Sequence, residues 1–146
     1  MSTHHTAHQP GQPPAPTVWP CLHCTSAPTV IDWLVSALGF VESARHTEGD
    51  SVVHAELLWP EGGGVMLGDR DRGPDDPHTI AAGSSVNFLV TADSDAVYER
   101  ARAAGAEVVM DMHDTDYGDH GFSVRDPEGN VWSVGQYPGQ PAPEGR

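Results

Sequence analysis

The chain uses one supersecondary pattern twice. A strand-like run over residues 18–24 leads into an amphipathic stretch that stops at Gly39, and Ser84–Thr91 leads into another that stops at Gly105. Three short β-type runs follow each stop. The two stops stand 66 positions apart, and Gly68 and Gly135, which end the last run of each half, stand 67 apart. A unit repeated at fixed spacing constrains a fold more than any single motif. It predicts an α+β domain of two βαβββ modules, whose curved, barrel-like mixed sheets surround a central cavity with the helices outside.

Each element has a local cause. Thr25 or Ser26 can cap a helix with Pro28 in its first turn, and Val30, Trp33, Leu34, Ala37 and Leu38 recur at helical spacing. Phe40–His46, Ser51–Trp59 and Gly64–Gly68 read as strands parted by turn residues. In the second half, Val86, Phe88 and Val90 alternate against Ser85, Asn87 and Leu89. Asp93 or Ser94 caps a helix to Ala104, and Ala106–Met112, Gly121–Arg125 and Val131–Tyr137 supply the last strands. The modules cover 18–68 and 84–137, joined by the charged, Pro-containing linker 69–83. Residues 1–17 and 138–146 carry almost nothing apolar, which predicts disordered tails.

Charge narrows the partners. Seven Lys+Arg stand against 21 Asp+Glu, a formal net charge of −14. Such a surface repels phosphate backbones and anionic lipid, so neither nucleic acid nor a membrane is an expected partner, whereas a cationic ligand is attracted. No apolar run approaches the roughly 20 residues of a spanning helix. No basic-then-apolar leader opens the chain, so the expected location is cytoplasmic. Cys21 and Cys24 form a C-x-x-C, but no second ligand pair stands at zinc spacing. On a strand the two thiols point to opposite faces, so they are expected to be unrelated.

The most telling local motif is Asp126-Pro127-Glu128-Gly129-Asn130-Val131-Trp132, a tight turn into a final strand. Together with Ile31-Asp32-Trp33-Leu34, Leu38-Gly39-Phe40, Tyr98-Glu99-Arg100 and Tyr117-Gly118-Asp119, in that order, it resembles the vicinal-oxygen-chelate superfamily of glyoxalases, bleomycin-resistance proteins and dioxygenases. The resemblance covers nearly the whole folded region. In metal-dependent members, four side chains from the first and last strand of each module hold a divalent ion. Those places fall here near Trp19, Met66, Ser85 and Ser133, none of which suits such an ion. Neither a metal nor another cofactor is therefore expected at the usual place. A rebuilt site would have to draw on His23, His54, Glu56, His113 or His120.

Without a metal, the cavity reads as a small-molecule site. Trp19 offers a stacking face, Met66 an adaptable apolar contact, and Ser85, Asn87 and Ser133 hydrogen-bonding groups. Cys21 and His23 share the face of Trp19, and Tyr117 stands where it closes one end. Trp33, Leu34, Leu38, Phe88 and Trp132 are expected in the core. No nucleophile–base–orienter set is present, so no catalytic residue is assigned. The resemblance implies a metal-free binding protein that sequesters a cationic or aromatic small molecule such as an antibiotic, and that works as a homodimer. The alternative is a lyase, isomerase or dioxygenase of the same superfamily with a displaced site.

Overall fold

The computed structural model describes residues 15–144. In chain order the elements are β1 (Cys21–His23), α1 (Ala27–Trp33, running on into a π-helical turn at Leu34–Leu38), β2 (Val41–Glu48), β3 (Ser51–Leu58) and β4 (Gly64–Gly68). After the linker come β5 (Val86–Val90), α2 (Ser94–Ala103), β6 (Glu107–Asp114), β7 (His120–Arg125) and β8 (Val131–Gly135). They form two four-stranded sheets, ordered β1-β4-β3-β2 and β5-β8-β7-β6. In each, the first strand runs parallel to the last and the other pairings are antiparallel. The α+β architecture of two βαβββ modules is the expected one, although strand pairing does not close the sheets into a barrel. No helix among the described residues is long and apolar enough to cross a membrane. The tail expectation at 1–14 and 145–146 lies outside the described residues.

Strand β1 is shorter than its sequence pattern. Pro20 has no N–H to donate, so it only accepts, from Met66 N at 2.9 Å, and the ladder begins after it. Gly39 ends the first helix in the left-handed region (φ 86°), a conformation that costs glycine nothing. Asp93 caps α2 by accepting from Ala96 N at 3.1 Å, and Arg100 and Arg102 sit in its last turn, where cations suit the helix dipole.

One face of each sheet joins a shared core with the helices. Leu22, Ala55, Leu57, Val65 and Leu67 supply it from the first sheet, and Leu89, Phe122, Val124, Trp132 and Val134 from the second. Phe40 lies 5.2 Å from Trp59 and 5.7 Å, edge-on, from Trp132, so aromatic packing joins the modules. Trp59 Nε1 adds a 2.7 Å hydrogen bond to the carbonyl of Val90.

Two equivalent turns lock the modules together. Pro60-Glu61-Gly62 and Pro127-Glu128-Gly129 lead into β4 and β8. Glu128 accepts from Thr25 N at 2.7 Å and Ser26 N at 2.6 Å, just before α1. Glu61 accepts from Ala92 N at 2.8 Å, just before α2. Each module's last hairpin therefore holds the helix entrance of the other, where N–H groups lack partners and negative charge is favoured. Asp69 completes the α1 end by accepting from Ala27 N at 2.9 Å, while its other oxygen holds Val52 N at 2.7 Å.

Candidate functional site

The faces turned away from the core are the candidate site. The pleat puts every second side chain there. On the first sheet these are Cys21 and His23, Met66, and His54 and Glu56, with Glu56 in register with Met66 and Met66 with Cys21. His54 Nε2 lies 2.8 Å from Glu56 Oε2, and its ring stacks on His46 at 6.1 Å. This face is rich in ionisable groups.

The second face differs in character. Ser133 pairs in register with Phe88 on one side and Ser123 on the other. The hydroxyls of Ser123 and Ser133 share a 2.7 Å hydrogen bond. Around this small polar floor stand Val86, 76% exposed, Phe88, 49% exposed, and Val90 and Met110, also exposed. So many bare apolar side chains on one patch need a partner, a ligand or both.

Phe88 is thus a correction to the expected core, and Leu89 takes the buried place instead. The polar alternates of that strand have a structural task. Asn87 Nδ2 donates to Ser85 Oγ at 3.0 Å, Ser85 Oγ donates to Asn130 Oδ1 at 2.7 Å, and Asn130 Nδ2 donates to Asp126 Oδ2 at 2.8 Å. Ser85 lies just before β5 and Asn87 on its core-side phase, so neither shares the face of Ser133. Burial of the Ser85–Asn87 side is affordable because the closing turn satisfies it. Leu34, Leu38 and Trp132 are buried as expected, and Trp33 is half-buried.

Register also refines the repeat. Cys21 pairs with Met66 and Phe88 with Ser133, an offset of 67 on both strands. The counterpart of Trp19 is therefore Val86, where helix spacing alone gives Ser85. Trp19 donates from Nε1 to Pro16 O at 3.0 Å and lies against Gly64, with no room there for a Cβ.

Two cavities adjoin these faces. The larger, about 560 Å³, lies along β5 and the turn into β4 and is lined by Trp59, Val86, Asn87, Phe88 and Trp132 among others. The smaller, about 160 Å³, lies at the end of the first face, where Cys21, His23, His54 and Met66 meet the linker. Neither unites Met66 with Ser133. Tyr117 lies in the β6–β7 loop, exposed, edge-on to Tyr137 at 5.3 Å. Both cysteines are free; burial, helped by the carboxylates of Glu128, Asp126 and Asp69, pushes the Cys24 thiol up to about 12, so it is inert.

A sequence model of the Glyoxalase/Bleomycin resistance protein/Dioxygenase superfamily matches residues 18–134. The chain belongs to this superfamily. An uncharacterized protein of Mycobacterium bovis is 36% identical over 127 residues, 83% of each chain. One of Mycobacterium tuberculosis has the same identity over 83% of this chain and 74% of its own. Among solved structures, TioX from Micromonospora sp. ML1 is 29% identical with a TM-score of 0.64, covering 80% of this chain and 94% of its own. TnmS3, an antibiotic binding protein from Streptomyces sp. CB03234, is 24% identical with a TM-score of 0.61, covering 80% and 90%. That last likeness speaks to the fold alone.

The glyoxalase fold implies a divalent metal on the first and last strands of each module. In this superfamily member those places hold Trp19, Met66, Val86 and Ser133: an indole, a thioether, an isopropyl group and a hydroxyl. A divalent ion wants carboxylate, imidazole or thiolate ligands, so these residues do not fit one. Among the described residues no three His, Cys, Asp or Glu side chains converge as a metal site. His54 is engaged by Glu56, and His120 is held between Asp114 at 2.6 Å and Asp95 at 3.0 Å. Hydrogen bonds to Asp95 and then Asp114 raise the His120 pKa, which favours a cation over a metal ligand.

Proposed function

We propose that this superfamily member is a metal-free small-molecule-binding protein that sequesters an antibiotic or other natural product. The observation carrying this reading is the second sheet's open face: an exposed apolar rim of Val86, Phe88, Val90 and Met110 around the Ser123–Ser133 hydroxyl pair. An apolar surface with a few placed polar groups is what holds a small organic ligand. The protein works as a homodimer, in which the ionisable first face of one copy meets the apolar second face of the other. Burying both faces at once removes the exposed patch from water and builds a pocket with one polar and one apolar wall. Cys21, His23 and Met66 line the first wall and Ser133 the second.

The uncharged fluorophore phenylnaphthylamine tests this reading. It is expected to bind the full-length chain with a rise in fluorescence, and Ser133→Trp, which fills the floor of the second face, is expected to weaken binding at least tenfold. Both proteins should keep the same far-ultraviolet circular dichroism. No binding, or equal binding to the variant, sinks the proposal.

A further inference from the structure

The small cavity has a composition that stands out from the rest of the chain. All seven Lys+Arg positions are arginine, and two of them, Arg70 and Arg72, line this one cavity of about 160 Å³ with His23, His54, His78 and Cys21. The other lining residues are apolar or glycine. Among the described residues no Asp or Glu lines it, although Glu56 and Asp76 bond the lining His54 and His78. The basic side chains come from different places: the histidines at 23 and 54 from β1 and β3, and the arginines and His78 from the linker.

The linker is built to hold them there. Asp69 pins its start to β3, and Ser85 N donates to Asn130 Oδ1 at 3.1 Å just past its end. Between them, Asp71 accepts from Gly73 N at 2.8 Å and Asp76 from His78 N at 2.8 Å. Gly73 O accepts from Thr79 Oγ1 at 2.7 Å, closing the loop on itself. The guanidinium groups are not used up by this network. Arg70 Nη1 stands 3.9 Å from Glu48 and Arg72 Nη1 3.7 Å from Asp76, beyond hydrogen-bond length, with both arginine side chains near half-exposed.

We propose that this cavity is an anion-recognising end of the binding site: the ligand carries a carboxylate, sulfonate or phosphate group that Arg70 and Arg72 receive. The inference rests on the small-molecule reading above and gives it a ligand class, opposite to the cationic one that net charge suggests. Magnitudes favour the local arrangement. The overall charge of −14 acts through solvent and fades over about 8 Å at physiological salt. A guanidinium in contact with an anionic oxygen makes a short, charge-assisted hydrogen bond that such screening weakens far less. The linker occurs once in the chain, so the second module does not repeat the Arg70–Arg72 pair.

Two related fluorophores separate the claims. Anilinonaphthalene sulfonate and phenylnaphthylamine share an aromatic body, and only the first bears an anion. On the full-length chain, the Arg70→Ala/Arg72→Ala double variant is expected to weaken the sulfonate at least tenfold and leave phenylnaphthylamine within twofold. Arg102→Ala, on α2, should change neither. Phenylnaphthylamine binding with the sulfonate unaffected by the double variant overturns the anion site and spares the pocket. Failure of both probes to bind overturns both.

Discussion

Trp132→Ala is expected to lower the free energy of unfolding by roughly 3–5 kcal/mol, read as a fall in the urea midpoint with little change in slope. Trp132 is fully buried and the largest side chain to be so. Its ring meets Phe40 from the other module, and its Nε1 donates to Asp126 Oδ2 at 3.0 Å. Alanine would therefore leave a cavity at the joint between modules and take one of two donors from Asp126 Oδ2. That carboxylate also receives Glu128 N, Asn130 N and Asn130 Nδ2, so it retains partners and the cavity supplies most of the loss. A single domain is stable by only about 5–15 kcal/mol, so the variant should sit near its folding limit. A loss below about 1 kcal/mol would mean that the modules hold together without this contact.

Glu128→Ala should cost roughly 1.5–3 kcal/mol, the range for hydrogen bonds to a charged group. The carboxylate receives two backbone N–H groups before α1. Glu61→Ala, which removes a single bond before α2, should cost less, about 1 kcal/mol. Chemical denaturation of both variants checks the order. Equal costs, or a larger one for Glu61, would contradict the cross-locking account.

Most of the fold is legible in the chain because its elements have local causes. Gly39 and Gly105 stop helices, Pro60–Gly63 and Asp126–Asn130 turn hairpins, and the repeat orders the strands. What escapes is relational. Val86-Asn87-Phe88-Leu89-Val90 has an apolar residue on either phase, so alternation cannot say which side meets the core; polarity suggests the wrong one for Phe88. The structure resolves it because Ser85 Oγ, itself donating to Asn130, accepts from Asn87, leaving that side free to be buried. The cross-locks did leave a signal, Pro-Glu-Gly at 60–62 and again at 127–129, which becomes meaningful only once each glutamate's partner is seen. The arginine cavity left none. A linker conformation follows from Asx-type turns and end anchors, which carry no periodicity to read.

Native mass spectrometry distinguishes a metal-free, ligand-binding dimer from a metal-bound or monomeric protein. Full-length chain is stripped with chelator, offered one equivalent of zinc or nickel and an excess of phenylnaphthylamine, and sprayed from volatile buffer at micromolar concentration. The expected mass is that of two chains carrying two fluorophore molecules and no metal. One retained metal ion per chain, or a monomer that binds the fluorophore as well as the dimer does, would contradict it.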